Sequence, residues 1–243
     1  MDFSYLNKLS ISDLKDICKK LFLKENRPRK DIIKDIIRCY DQYEEYNKNT
    51  IDKYTKLHKL GTGKEGTTYL VQDKDGNNLA MKCFKSKKSS NKISLEGELQ
   101  QIVCKTGLCP QLYEIDTVNK YLVMERMDNH LYDSIKKNKG LLNRTQQKQI
   151  VNILKKLDEV LVFHADSNIL NYMYKGKKLY IIDFSMSKHI DEKLIKKLGT
   201  KTPNIDYGIL GFILKLKELH CDSKSYEYLM NFVSDSNKEK FNL

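Results

Sequence analysis

The sequence predicts an α+β fold: a helical hairpin, then a β-rich stretch, then a mainly helical one. Three observations predict it. Apolar residues between 11 and 40 recur at helical spacing. From Tyr54 the pattern changes to short β-branched and aromatic runs divided by glycine-bearing turns. Beyond Leu131 the helical period returns. The expected boundaries are 1–50 for the hairpin and 51–243 for the rest, β-rich to about 127 and helical from about 128. A β-rich half followed by a helical half leaves a natural cleft between them.

The hairpin starts at Ser10, which with Asp13 fits a capping box in which Asp replaces the usual Glu. Ile11, Leu14, Ile17, Cys18 and Leu21 form the first stripe. Pro28 disfavours helix at Arg27 and breaks the pattern. Ile32, Ile33, Ile36, Ile37 and Tyr40 form the second stripe.

LHKLG, TTYLV and LAMKCF then read as three strands, and Asp75-Gly76 is a hairpin turn. A helix is expected around Ser94–Val103, followed by the strands QLYEI and YLVME. Ile150, Ile153, Leu154, Leu157, Val160 and Leu161 have helical spacing. LYIID (179–183) reads as a buried strand, and YGILGFILKL (207–216) as an apolar helix.

A chain of 243 residues allows one domain or two small ones. At 40% hydrophobic and 31% charged, the composition is that of a soluble globular protein. No apolar run approaches the ~18 residues of a membrane span. The N-terminus lacks the basic and apolar regions of a secretory signal, so an intracellular site, cytoplasmic or nuclear, is expected. The net charge of +12 suggests an anionic partner. Only five of the 44 cations are Arg, however, and a Lys-dominated excess reads mostly as solvated surface. Cys18, Cys39, Cys83, Cys104, Cys109 and Cys221 form no CxxC pair and have no His at ligand spacing. They read as reduced, buried thiols rather than a zinc site.

The segment Gly61-Thr62-Gly63-Lys64-Glu65-Gly66 admits three readings. A dinucleotide fingerprint needs a helix straight after the glycines, but TTYLV continues as a strand. A Walker A loop needs Lys after the last glycine, and Thr67 stands there. The third reading is a glycine-rich β-hairpin over phosphates, followed by a lysine on the next strand. Lys82 lies in the apolar run AMKCF, and a buried lysine requires a partner. Glu96 on the following helix can supply it.

Asp166 and Asn171 follow a short apolar run, and Asp183 ends the strand LYIID. Phosphoryl transfer from ATP needs oxygen ligands for Mg²⁺ and a carboxylate near the attacking hydroxyl. Asn171 and Asp183 can hold the metal, and Asp166 can serve the nucleophile.

In this order the motifs resemble the protein-kinase-like phosphotransferases. They are GxGxxG at 61–66, AxK at Lys82, the helix Glu96, the hinge-like YLVMERM, HxDxxxxN at 164–171, Asp183-Phe184, and DxxxxG at 206–211. The resemblance covers 54 to about 216. It implies a bilobal fold, ATP and Mg²⁺ as cofactors, a protein substrate, and catalytic roles for Lys82, Glu96, Asp166, Asn171 and Asp183. It also implies ATP contacts from Gly61, Thr62, Gly63 and Gly66, Met124 at the gatekeeper position, and adenine binding by the backbone of Glu125–Met127.

The sequence departs from the family in five respects. Ala165 replaces the Arg of HRD, so control through a phosphorylated activation loop is not expected. Ser185 replaces the Gly of DFG, and no APE is present. Twenty-two residues separate Asp183 from Asp206, too few for a full activation segment, and only 32 follow Gly211, which implies a trimmed C-lobe. This pattern is similar to RIO kinases, KEOPS-complex kinases and small-molecule phosphotransferases. The Lys and Asn bias also resembles kinase-like proteins of large DNA viruses, which would place the protein in a host cell or virion.

Residues 10–37 resemble a SAP module, which implies DNA contacts from Arg27, Arg29 and Lys30. The charge does not concentrate there: 1–50 carry +2 and the remainder +10. The functional expectation is an ATP-dependent serine/threonine protein kinase. Two alternatives stay open: a pseudokinase or scaffold that binds nucleotide or DNA, and a small-molecule kinase. His164 is expected to brace the catalytic loop, and Thr200 and Thr202 to be loop residues.

Overall fold

Ser10 and Asp13 close a reciprocal capping box: the Ser10 hydroxyl accepts from Asp13 N, and Ser10 N donates to Asp13 Oδ2, both at 3.1 Å. That cap starts α1 (Ile11–Lys20), and α2 (Arg29–Ile51) follows the break at Pro28. The computed structural model describes residues 3–21, 23–51 and 53–243, with the side chains of 42–51 excepted. These residues form two compact units: Met1–Thr55 with Asp73–Gly76, and Lys56–Gln72 with Asn77–Leu243.

In the first unit, Leu6, Leu14, Cys18, Ile32 and Ile36 make a fully buried core. Leu6 comes from a 3-10 turn at Ser4–Lys8 that the helical stripes do not announce. Ile11, at the first helical position, stays exposed. Arg27 pairs with Asp35. Arg29 donates to the carbonyls of Asn7 (3.0 Å) and Leu9 (2.6 Å). Lys30 is exposed.

The second unit begins as a sheet in the order β1-β2-β3-β5-β4. Its strands are β1 (Tyr54–Thr62), β2 (Gly66–Asp73), β3 (Asn78–Phe84), β4 (Leu112–Asp116) and β5 (Tyr121–Glu125). Antiparallel ladders join β2 to β3, β3 to β5 and β5 to β4. The helix α3 (Ser90–Cys104) lies between β3 and β4 in sequence and starts four residues earlier than the apolar pattern suggests. Gly97 brings α3 close to the sheet, since a Cβ there would come within 2.6 Å of Ile115.

The remainder is mainly helical: α4 (Leu131–Lys137), α5 (Arg144–Glu159), α6 (Glu192–Leu198), α7 (Ile209–Glu218) and α8 (Asp235–Lys240). Short strands thread between them: β6 (Asn129–His130), β7 (Val162–Phe163), β8 (Tyr172–Lys175), β9 (Lys178–Ile181) and β10 (Lys188–His189). Ile150, Ile153, Leu154 and Leu157 of α5 meet Ile209, Phe212 and Ile213 of α7 in one large apolar cluster. The predicted α+β class therefore holds, and an antiparallel sheet followed by helices is the order of a protein-kinase-like fold. Among the described residues no helix is long and apolar enough to cross a membrane.

Candidate active site

Two strand pairs set two loops side by side. β7 pairs with β10, Phe163 opposite Lys188. β8 pairs with β9, Tyr172 opposite Ile181. The loop from His164 to Asn171 runs from β7 to β8, and the loop from Ile182 to Ser187 runs from β9 to β10. Both loops are thus fastened at both ends. Ile182 N donates to Asn171 O at 2.8 Å, and the Ser187 hydroxyl to His164 O at 3.2 Å.

His164 lies between the loops and is 2% exposed. Its Nδ1 is 3.0 Å from Asp166 O and its Nε2 is 3.0 Å from Ile182 O. Its ring stands edge-on to Phe184 at 5.2 Å. Burial pushes the His164 pKa down, against the pull of the two carbonyls and of the Asp166 and Asp183 carboxylates. Asp166 is half-buried, and its Oδ1 accepts from Asn168 N at 3.1 Å. Asp166 also lines a cavity of about 170 Å³ with Phe163, Ser167, Asn204 and Tyr207.

Asp183 and Ala165 both have left-handed backbone, at φ 66° and 60°. Asp tolerates this region better than most residues, and Ala pays for it only through its Cβ. Ser185 does not share that conformation, so its position makes no demand for glycine. Its N–H instead donates to Asp183 Oδ1 at 3.3 Å.

Lys82, on β3, reaches both sides of the site. Its Nζ is 2.6 Å from Glu96 Oε1 and 2.7 Å from Asp183 Oδ1. The Glu96 side chain is 2% exposed, Lys82 12% and Asp183 38%. Burial works to lower the Lys82 pKa, but Glu96 and then Asp183 overcome it and hold the ammonium above its ordinary value. Burial likewise works to raise Asp183, but Lys82 and Ser185 overcome it and hold the carboxyl below its ordinary value. Both shifts favour the ion pair.

The glycine hairpin divides into two kinds of position. A Cβ on Gly66 would fall 2.1 Å from Cys83 O, so glycine there is a packing requirement of the β2–β3 ladder. Gly61 and Gly63 would meet nothing within 4 Å. Glycine at these two positions leaves open space, as close approach of a ligand to the backbone requires. Thr62 ends β1 and is exposed.

Met124 lies in β5 opposite Ala80, with its Sδ 3.8 Å from Gln100 Nε2. Glu125 N is bound to Gln111 O at 2.8 Å, and Arg126 O accepts from Lys175 Nζ at 2.8 Å. Met127 is buried.

Sequence reasoning missed three groups here. Lys88 is buried against Glu96. Asp158 of α5 accepts from Asn204 N (3.0 Å), Asn204 Nδ2 (2.7 Å) and Ile205 N (3.1 Å). Asn204 in turn accepts from His164 N at 3.0 Å and so holds the start of the loop from His164 to Asn171. Asp158 and Asn204 carried no signal beyond being polar residues beside an apolar stripe.

No family model matches this sequence. Two curated proteins are similar to it. One is a "Probable bifunctional tRNA threonylcarbamoyladenosine biosynthesis protein" of Methanobrevibacter smithii, 29% identical over 107 residues, which cover 44% of this chain and 19% of that protein. The other is a "Probable serine/threonine-protein kinase" of Dictyostelium discoideum, 30% identical over 154 residues, covering 59% of this chain and 30% of that one. The chain therefore spans under a third of the length of either relative. The likeness supports a protein-kinase-like fold.

Proposed function

We propose that this chain is an ATP-dependent phosphotransferase that moves the γ-phosphate to a serine or threonine hydroxyl of a protein. The observation that carries the proposal is the Lys82 ammonium held between Glu96 and Asp183, beside the loop that bears Asp166. Both curated relatives support the general reading, and the name of the second supports the finer one.

The residues divide the work as follows. Lys82, kept charged by Glu96, binds and orients phosphate oxygens. Gly61 and Gly63 let backbone amides approach those phosphates, with Thr62 between them, while Gly66 keeps the hairpin on β3. The Glu125–Met127 backbone meets adenine beside Met124. Asp166 accepts or orients the proton of the attacking hydroxyl.

A divalent cation fits the donors present. Among the described residues no group of three or more His, Cys, Asp or Glu could hold a metal ion. Mg²⁺, however, commonly takes one or two side-chain oxygens and completes its shell with phosphate and water. Asp183 offers a carboxylate with its side chain 38% exposed. Asn171 Nδ2 is buried without a hydrogen-bond partner, and a half-turn of that amide presents an oxygen instead. These two residues would hold Mg²⁺, which when bound neutralises developing phosphate charge.

Of the three exposed cations assigned to DNA, Arg27 is paired with Asp35 and Arg29 donates to the carbonyls of Asn7 and Leu9, so DNA binding by the hairpin has less support than phosphotransfer. The test is incubation of purified protein with radiolabelled ATP, Mg²⁺ and a generic protein acceptor. Transfer is expected, with Asp166→Ala lowering it about 100-fold or more. No transfer and no ATP hydrolysis that responds to Asp166→Ala would sink the proposal.

A further inference from the structure

Lys88 belongs to the run Lys85-Ser86-Lys87-Lys88, in which Lys85 and Lys87 are exposed but the Lys88 side chain is only 5% exposed. Its Nζ is 2.7 Å from Glu96 Oε2, the oxygen that Lys82 does not take. It is also 3.3 Å from Glu65 Oε2, at the tip of the glycine hairpin. Both ammonium groups lie over the ring of Phe84, Lys88 at 4.5 Å and Lys82 at 5.3 Å. A second connection runs beside this one, from Lys85 N to Glu65 O at 3.0 Å.

Burying a second ammonium is unfavourable unless it is well paired, and an apolar side chain on Phe84 would fill the space without that cost. What the charge adds is geometry. With Lys88 on one carboxylate oxygen, Glu96 cannot swivel, and its other oxygen faces Lys82. When a phosphate draws the Lys82 ammonium away, Glu96 keeps a counter-ion. The Glu65 contact is longer, and the Glu65 side chain is 37% exposed, so it can release and re-form.

We propose that Lys88 is a positioning residue: it fixes Glu96 for Lys82 and ties the tip of the glycine hairpin to the same carboxylate through Glu65. The inference rests on the phosphotransferase reading above.

Binding of a fluorescent ATP analogue with Mg²⁺ tests it, measured directly as Kd and independent of turnover. The proteins are the full chain, Lys88→Met, Lys88→Arg, Glu65→Gln and the double variant K88M/E65Q, each with a melting curve in the absence of nucleotide. K88M should weaken binding about tenfold, the loss of one charged hydrogen-bond pair. E65Q should weaken it less, K88R should recover much of the loss, and the double variant should be no worse than K88M, because Glu65 acts through Lys88. A wild type that binds while K88M binds equally well, or E65Q and K88M effects that add, overturns the inference and leaves the reading intact. A wild type that does not bind overturns both. If K88M gives no cooperative melt, the exposed-site variant decides: E65Q binding like wild type overturns the inference.

Discussion

Lys82 Nζ and Asp183 Oδ1 are 2.7 Å apart although 101 residues of chain separate them. The contact joins the sheet to the paired loops, and the same ammonium binds Glu96. Glu96 has a second cation in Lys88, whereas the two lysines share this one fully buried carboxylate. Removal of Glu96 should therefore cost more than removal of Lys82. Glu96→Ala leaves Lys82 with Asp183 alone and Lys88 with only the longer Glu65 contact, and should lose about 2–4 kcal/mol, somewhat less than a wholly uncompensated buried charge would cost. Lys82→Met, with Glu96 still paired to Lys88, should lose less. Urea unfolding of the two variants checks the order.

The three glycines of the hairpin should separate in a substitution series. Gly66→Ala forces a Cβ against Cys83 O and should destabilise by about 1–3 kcal/mol. Gly61→Ala and Gly63→Ala face open space and should leave stability within about 0.5 kcal/mol while weakening ATP binding. Thermal melts paired with nucleotide titrations would show the split.

Asp158 accepts three hydrogen bonds from Asn204 and Ile205, so Asp158→Ala should cost about 1–3 kcal/mol and also slow transfer, by loosening the support under His164. Its ionisation has a sign of its own. Burial is the largest influence on Asp158 and raises its pKa above 3.8 against the pull of those donors. A raised carboxyl favours the folded state fully below 3.8, and that contribution fades as pH rises through the native value. The stability of wild type relative to Asp158→Asn should therefore fall across that window and be constant above it, as urea unfolding at a series of pH values would record.

Cys104 and Cys109 lie with their sulfurs 3.2 Å apart, both reduced. The hydrogen bond from Cys109 is the largest influence on Cys104 and lowers its thiol pKa, while the same bond, with burial, raises that of Cys109. Iodoacetamide should modify Cys104 first, with a pH midpoint below 9.0. Peptide mass mapping after brief alkylation at several pH values would show whether Cys109 reacts first instead.

Much of this arrangement was legible because its signals are local. Lys82 is a charged residue in an apolar strand downstream of a glycine hairpin, and Asp183 follows an apolar run. The capping box at Ser10 was legible from two residues. Lys88 was not, because four lysines within 82–88 read as a solvated run, and only the approach of Glu96 and Glu65 buries one of them. The strands β6, β7 and β10 are two residues long, too short to show any period. They exist because partner strands distant in sequence pair with them.

The His164 ring has a mechanical consequence. It touches a carbonyl in each of two loops and packs on Phe184 in the second. Residues next to those carbonyls, Ala165 and Asp183, hold the left-handed backbone. A ring that bridges two such bends works as a strut. Asp166 and Asp183 then share one degree of freedom rather than two, and whatever displaces one bend is transmitted to the other at fixed spacing.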